Sequence, residues 1–81
     1  MARDLYGAAR ALGTEVWDAG YPEWSQRIDD AVAGGATSTE MLMALRWTLG
    51  ELLGQALELP DELRGRIEGL RGEIGAHLGM S

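Results

Sequence analysis

Residues 38–57, STEMLMALRWTLGELLGQAL, form the most apolar segment of the chain. Their apolar side chains recur at intervals of three and four residues, which is the period of an α-helix, whereas no segment alternates like a β-strand. A stripe this broad is wide enough to contact two other helices. The sequence therefore predicts a central helix from Ser38 to Leu57, with these residues facing inward: Met41, Leu42, Leu45, Leu49, Leu52, Leu53 and Ala56.

Three further segments carry the same helical period. We expect helices from Arg3 to Ala19, from Pro22 to Ala33 and from Pro60 to near Gly79. Because the connections between them are only a few residues long, consecutive helices should be antiparallel neighbours. The predicted fold is all-α: a small antiparallel four-helix bundle, one domain spanning residues 1–81, which homodimerisation could complete.

Two short motifs mark the boundary between the second and third helices. Residues 34 and 35 are both glycine, and glycine readily adopts the left-handed conformation of a helix C-cap, so we expect the second helix to end there. Residues 37–40, TSTE, are typical of a capping box in which Thr37 caps the third helix and Glu40 reaches back. The alternative cap is Ser38, which would shift the start by one residue.

Composition narrows the possible functions of the chain. It has 81 residues, 13 acidic and seven arginine side chains, no lysine, no cysteine, one histidine and a net charge of −6. Without cysteine there are no disulfides, thiolate zinc sites or cysteine nucleophiles. Scattered arginines on an acidic chain disfavour binding to nucleic acid or to an anionic membrane. No apolar run is long enough to span a membrane, and no signal sequence is visible, so we expect a cytoplasmic protein.

The best candidate for chemistry is the pair Glu73 and His77, which are four residues apart and share one side of the fourth helix. The pair supplies only half of a metal site, and the repeated Glu-x-x-His pattern of metal-binding bundles is missing. A lone histidine at the margin of an apolar row is more often packed there for structural reasons. We therefore expect no metal, no cofactor and no enzymatic activity.

A second row of residues lies on the back of the third helix: Met43, Trp47, Gly50 and Gly54. An amphipathic helix would carry charges at these positions, so something is expected to pack against them, either within the bundle or from another molecule. Trp17 also lies off the main apolar row of its helix, and tryptophan is common at binding hot spots. These five residues are the predicted partner-binding residues.

Arg46 lies between Leu45 and Trp47 in this apolar stretch. A partly covered guanidinium needs a carboxylate partner, so we expect a structural ion pair with Asp29, Asp30 or an acid of another subunit. In the alternative, Arg46 extends along the helix edge to water.

Small residues form a row opposite the apolar row of the fourth helix: Gly65, Gly69, Gly72 and Ala76. Each glycine in a helix interior costs about 0.8–1 kcal/mol relative to alanine. Either the surface tolerates them, or close approach of another helix offsets the cost.

These patterns predict a small acidic, non-catalytic protein-interaction module, an adaptor or a regulator, acting as a homo-oligomer or with a protein partner. A narrower version is an immunity-protein-like or antitoxin-like partner that neutralises a basic toxin. The competing class is a metal- or ligand-binding helical bundle enzyme that uses Glu73, His77 and carboxylates converging from neighbouring helices.

Overall fold

The computed structural model describes residues 4–35 and 37–79. Its helices are α1 (Leu5–Asp18), α2 (Pro22–Gly34), α3 (Ser38–Gln55) and α4 (Asp61–His77). The prediction of an all-α four-helix bundle is confirmed. Arg3, where the sequence predicts the first helix to begin, lies outside the described residues.

The four helices form a ring in which each helix has two neighbours. α1 packs against α2 and α4, and α3 packs against the same two helices, so α1 and α3 lie diagonally across the bundle. The predicted central position of α3 is therefore wrong, although its broad stripe does contact two helices. A hydrogen bond of 3.0 Å from the Tyr6 hydroxyl to Ser38 Oγ links the first turns of the diagonal pair.

The core contains the apolar rows that the sequence predicts, and α3 supplies its largest share. Burying one large aliphatic side chain contributes about 1.5–3 kcal/mol relative to leaving it exposed, so these rows hold the bundle together. The largest side chains that are fully buried are Val16, Ile28, Leu45, Leu49, Leu52, Ile67 and Ile74.

Side-chain caps define the starts of α1 and α3. Thr37 Oγ1 accepts a hydrogen bond of 3.1 Å from the Glu40 backbone N–H, which confirms Thr37 rather than Ser38 as the cap. Asp4 Oδ1 accepts hydrogen bonds of 3.1 Å from the N–H groups of Tyr6 and Gly7. Each cap satisfies backbone donors that the first turn of a helix leaves unpaired.

The reason predicted for glycine at position 35 is wrong. Gly35 has φ −81° and ψ 133°, an extended conformation open to any residue. Left-handed φ values occur instead at Gly20, 97°, and Gly79, 78°. Position 35 requires glycine because a Cβ atom there would lie 2.7 Å from both the Cβ and the backbone nitrogen of Met41.

Candidate functional site

The outer side of α3 carries two large apolar side chains that are largely exposed among the described residues. Trp47 is 65% exposed and Met43 is 55% exposed. They lie one helical turn apart on the side that the sequence predicts to be covered. The described residues of the bundle cover less than half of either side chain. Packing by another molecule remains a prediction.

The two glycines of the same row have different surroundings. A Cβ atom at position 50 would lie 3.1 Å from Nε of Arg71, whereas one at position 54 would have no described residue within 4 Å. The predicted close packing is therefore present at Gly50, where α4 supplies it, and absent at Gly54 in the described part of the chain.

Arg46 and Arg71 pack reciprocally across the α3–α4 contact. Arg71 lies over Gly50, and Arg46 lies over Gly75, where a Cβ atom would be 3.3 Å from its Nε. On each helix the glycine follows the arginine by four residues, so both occupy one face. Because the helices run in opposite directions, each arginine meets the glycine of the other helix. The missing Cβ atoms let both side chains lie close to the opposite backbone.

Neither guanidinium has a complete set of partners. The Nε atoms of Arg46 and Arg71 are buried, and among residues 4–35 and 37–79 neither has a hydrogen-bond partner. Leaving a buried donor unsatisfied costs about 1–3 kcal/mol. Both arginine side chains therefore pack closely on glycine, while their buried Nε donors lack acceptors among the described residues.

The predicted ion pair of Arg46 with Asp29 or Asp30 does not form between the described residues. Asp29 lies toward α1, since its Oδ1 is 3.6 Å from where a Cβ of Gly13 would be. Asp30 Oδ1 accepts a hydrogen bond of 3.2 Å from Gln26 Nε2. A pair between Arg46 and an acid of another subunit stays a prediction.

The two arginines line an open cleft between α3 and α4, which we call the arginine cleft. Its volume is about 530 Å³, and its lining residues are Met43, Arg46, Trp47, Gly50, Glu51, Arg71 and Leu78. Glu51 is the one acid in this lining, and its Oε2 accepts a hydrogen bond of 3.1 Å from Gln55 Nε2. The cleft therefore combines two cationic groups, one carboxylate and an apolar wall.

Trp47 separates the arginine cleft from a second groove, between α2 and α3. This groove has a volume of about 460 Å³ and is lined by Arg27, Asp30, Ala31, Ala44, Trp47 and Thr48. We call Met43, Trp47 and the two grooves beside them the Trp47 face. It holds three arginines and two acids, a formal charge of +1 on a chain whose net charge is −6.

The other tryptophans do not join this face. Trp17 is 57% exposed on α1, but it lines neither groove beside Trp47, and α1 lies diagonally opposite α3. Trp24 packs against the core while partly buried, with the guanidinium carbon of Arg27 4.6 Å from the centre of its ring. The structure thus places Trp47 and Met43 together and leaves Trp17 apart.

The described residues do not form the geometry that the competing metal site needs. Glu73 lines a groove beside Glu15 and Arg66, whereas the exposed His77 lines a different one, beside Asp4. Within the described ranges, no group of three or more histidine, cysteine or acidic side chains is placed to hold a metal ion. The converging carboxylates expected around His77 are not found there.

The small residues of α4 are open to solvent. Cβ atoms added at Gly65, Gly69 or Gly72 would meet nothing within 4 Å in the structure as described, and Ala76 is exposed. Close helix approach over this row therefore does not occur in the described chain, and an approach by another molecule stays a prediction.

Sequence reasoning missed Arg71, which is as central to the cleft as Arg46. One signal could have found it: the spacing Arg-x-x-x-Gly occurs in both α3, at residues 46–50, and α4, at residues 71–75. Two such pairs on adjacent antiparallel helices can pack reciprocally when their registers match.

No protein-family model, curated protein or solved structure matches this chain.

None of the helices in residues 4–35 and 37–79 is long and apolar enough to cross a membrane.

Proposed function

We propose that this chain is a non-catalytic protein-binding module, an adaptor or a regulator, and that the Trp47 face is its binding surface. The observation that carries the proposal is the 65% exposure of Trp47 between two grooves. Tryptophan and arginine are the side chains most enriched at binding hot spots, and both are grouped here.

The shape of the face favours a protein over a small molecule. Trp47 lies between the grooves and is largely exposed, rather than closing off an enclosed cavity. A large aromatic side chain in this position can fill a pocket on a partner while the partner covers the grooves on both sides. The net charge of −6 also disfavours nucleic acid as the occupant, because phosphate neutralisation needs a strongly basic surface.

The charge of the whole chain favours a different protein over a second copy. Two copies would bring together net charges of −6 each, which repel, whereas a basic protein would be attracted. An immunity-protein-like or antitoxin-like role toward a basic partner agrees with this charge. A homo-oligomer is the alternative occupant of the same face.

The absence of cysteine is compatible with the proposed cytoplasmic location.

Two tryptophan variants provide a matched test of the binding surface. The tagged protein, Trp47→Ala and Trp17→Ala are used to capture proteins from the native cell, and the captured protein is then purified and its affinity for each variant measured. We expect Trp47→Ala to weaken binding by about thirtyfold, the usual loss at a hot spot, and Trp17→Ala to leave it within about twofold. Both side chains are exposed, so both variants should keep the fold, which circular dichroism would verify.

Two results would count against the proposal. One is equal binding by Trp47→Ala and the unmodified protein, and the other is a greater loss for Trp17→Ala than for Trp47→Ala. Light scattering of the purified chain measures its mass and so tests the alternative, in which a second copy covers the face. A stable dimer that Trp47→Ala dissociates would assign the face to a second copy.

A further inference from the structure

We propose that the arginine cleft is a carboxylate-binding site, which takes one carboxylate of a partner protein between Arg46 and Arg71 and an adjoining apolar side chain against Met43, Trp47 and Leu78. This inference rests on the proposed function, since it names the group that the partner inserts at the Trp47 face. The shared ligand chemistry is a carboxylate next to an apolar group, from an internal acidic residue or from a free chain end.

The hydrogen bonding of the arginines is the first observation behind the proposal. Arg64 donates to two backbone carbonyl oxygens, at 2.9 and 3.1 Å, and Arg66 pairs with Glu15 and Glu62. Arg46 and Arg71 differ from them, since their buried Nε atoms have no partner among the described residues. Because these Nε atoms are buried on the opposite helix, a carboxylate in the cleft would accept hydrogen bonds from the Nη groups of the two guanidiniums.

The way the two arginines are held is the second observation. Each lies across the α3–α4 contact on a glycine of the opposite helix, with Nε at 3.1 Å or 3.3 Å from where a Cβ would be. Side chains fixed in this way lose less conformational entropy on binding, which is how an anion site is preorganised.

The other residues that line the cleft indicate that its ligand is a carboxylate and not a phosphate. Glu51 also lines the cleft, so the formal charge of the cleft is +1, which one carboxylate neutralises and a group with two negative charges would exceed. A single carboxylate matches a local charge of two arginines and one acid. Met43, Trp47 and Leu78 form the apolar part of the lining, so the group beside the carboxylate should be apolar.

Peptide titration followed by NMR tests the site directly. The probes are acetyl-Ala-Leu-Glu-Leu-Ala-amide, the same peptide with Gln in place of Glu, and the Gln peptide with a free carboxyl terminus. The Nε–Hε signals of Arg46 and Arg71 in the ¹⁵N-labelled protein should shift and saturate with a carboxylate peptide and not with the amidated Gln peptide. If the Glu peptide binds more tightly, the source is an internal acid, and if the free terminus does, it is a chain end.

Glutamine variants that each remove one positive charge show whether Arg46 and Arg71 bind the carboxylate. Arg46→Gln and Arg71→Gln should each weaken binding of the carboxylate peptide by about tenfold or more. Arg10→Gln removes the same charge from an exposed position on α1 and should change binding by less than about twofold. Arg46→Lys keeps the charge and loses the planar fork, so an intermediate loss is expected. The amide spectrum of each variant reports whether it is folded.

The results that would overturn the site differ from those that would overturn the proposed function. Equal shifts with the Glu and amidated Gln peptides, or no shift at Arg46 and Arg71 with any probe, would overturn the carboxylate site. If Trp47→Ala still abolished capture of the partner, the binding face would stand without this site. Shifts of the same Nε–Hε signals on concentrating the protein alone would assign the carboxylate to a second copy, against our choice of occupant.

Discussion

Position 35 requires glycine because of its close contact with Met41 and not because of its own backbone angles. A Cβ atom at position 35 would lie 2.7 Å from the Met41 backbone nitrogen and 2.8 Å from its Cα. Backbone atoms of a helix cannot move aside as the end of a flexible side chain can. The preceding glycine, Gly34, ends α2 and has nothing within 4 Å in the described chain.

Replacing Gly35 by alanine should therefore destabilise the fold by about 1–3 kcal/mol, the usual cost of overpacking. The matched control Gly34→Ala should leave the free energy of unfolding unchanged or raise it by up to about 1 kcal/mol, since alanine favours the helix. Urea unfolding followed by circular dichroism measures both. Equal stabilities for the two variants would show that the approach of Met41 to residue 35 is not as close as the structure has it.

At the scale of elements, the end of α3 is fixed by a side chain of α4. Arg64 Nη1 donates to the Leu53 carbonyl oxygen at 3.1 Å, and Nη2 donates to that of Ala56 at 2.9 Å. These carbonyl oxygens lie in the last turn, where a helix leaves acceptors unpaired. The helix consequently ends at Gln55, two residues before the predicted end, and Leu57 is exposed.

Arg64→Met should lower the free energy of unfolding by about 1.5–3 kcal/mol, because two hydrogen bonds from a charged donor are lost. Arg66→Met is the matched control on the same helix. Its ion pairs with Glu15 and Glu62 are exposed, so its removal should cost less than about 1 kcal/mol. Thermal and urea unfolding of both variants compare them, and a larger loss for Arg66→Met would contradict the role given to Arg64.

Local patterns sufficed to predict the elements of this fold. The apolar period placed four helices and their core rows, and the TSTE motif placed the Thr37 cap, because each depends on residues within one or two turns. The same period placed Met43 and Trp47 off the core row of α3. The end of α3, the requirement at Gly35 and the arginine cleft were not predictable in this way. The end of α3 and the arginine cleft depend on which residues of α3 and α4 meet, and the register between these helices cannot be obtained from either one alone. The requirement at Gly35 depends on how closely that residue approaches Met41.

At the scale of the whole molecule, charge and apolar surface are unevenly arranged. The chain carries −6 in total, yet the Trp47 face carries three arginines and two acids beside two exposed apolar side chains. A partner with a positive net charge would be attracted by the molecule as a whole. Its orientation would then be set by the contacts at Trp47 and in the arginine cleft.

Site-specific photo-crosslinking in the native cell is the most direct measurement of whether a protein covers this face. A benzophenone amino acid replaces the exposed Ala44, which lines the groove beside Trp47, in one variant, and Trp17, on the diagonally opposite helix, in another; Trp47 itself is kept in both. We expect irradiation to give one discrete adduct with a different protein from position 44 and none from position 17. No adduct from position 44, or the same adducts in equal yield from both positions, would contradict a binding surface centred on Trp47.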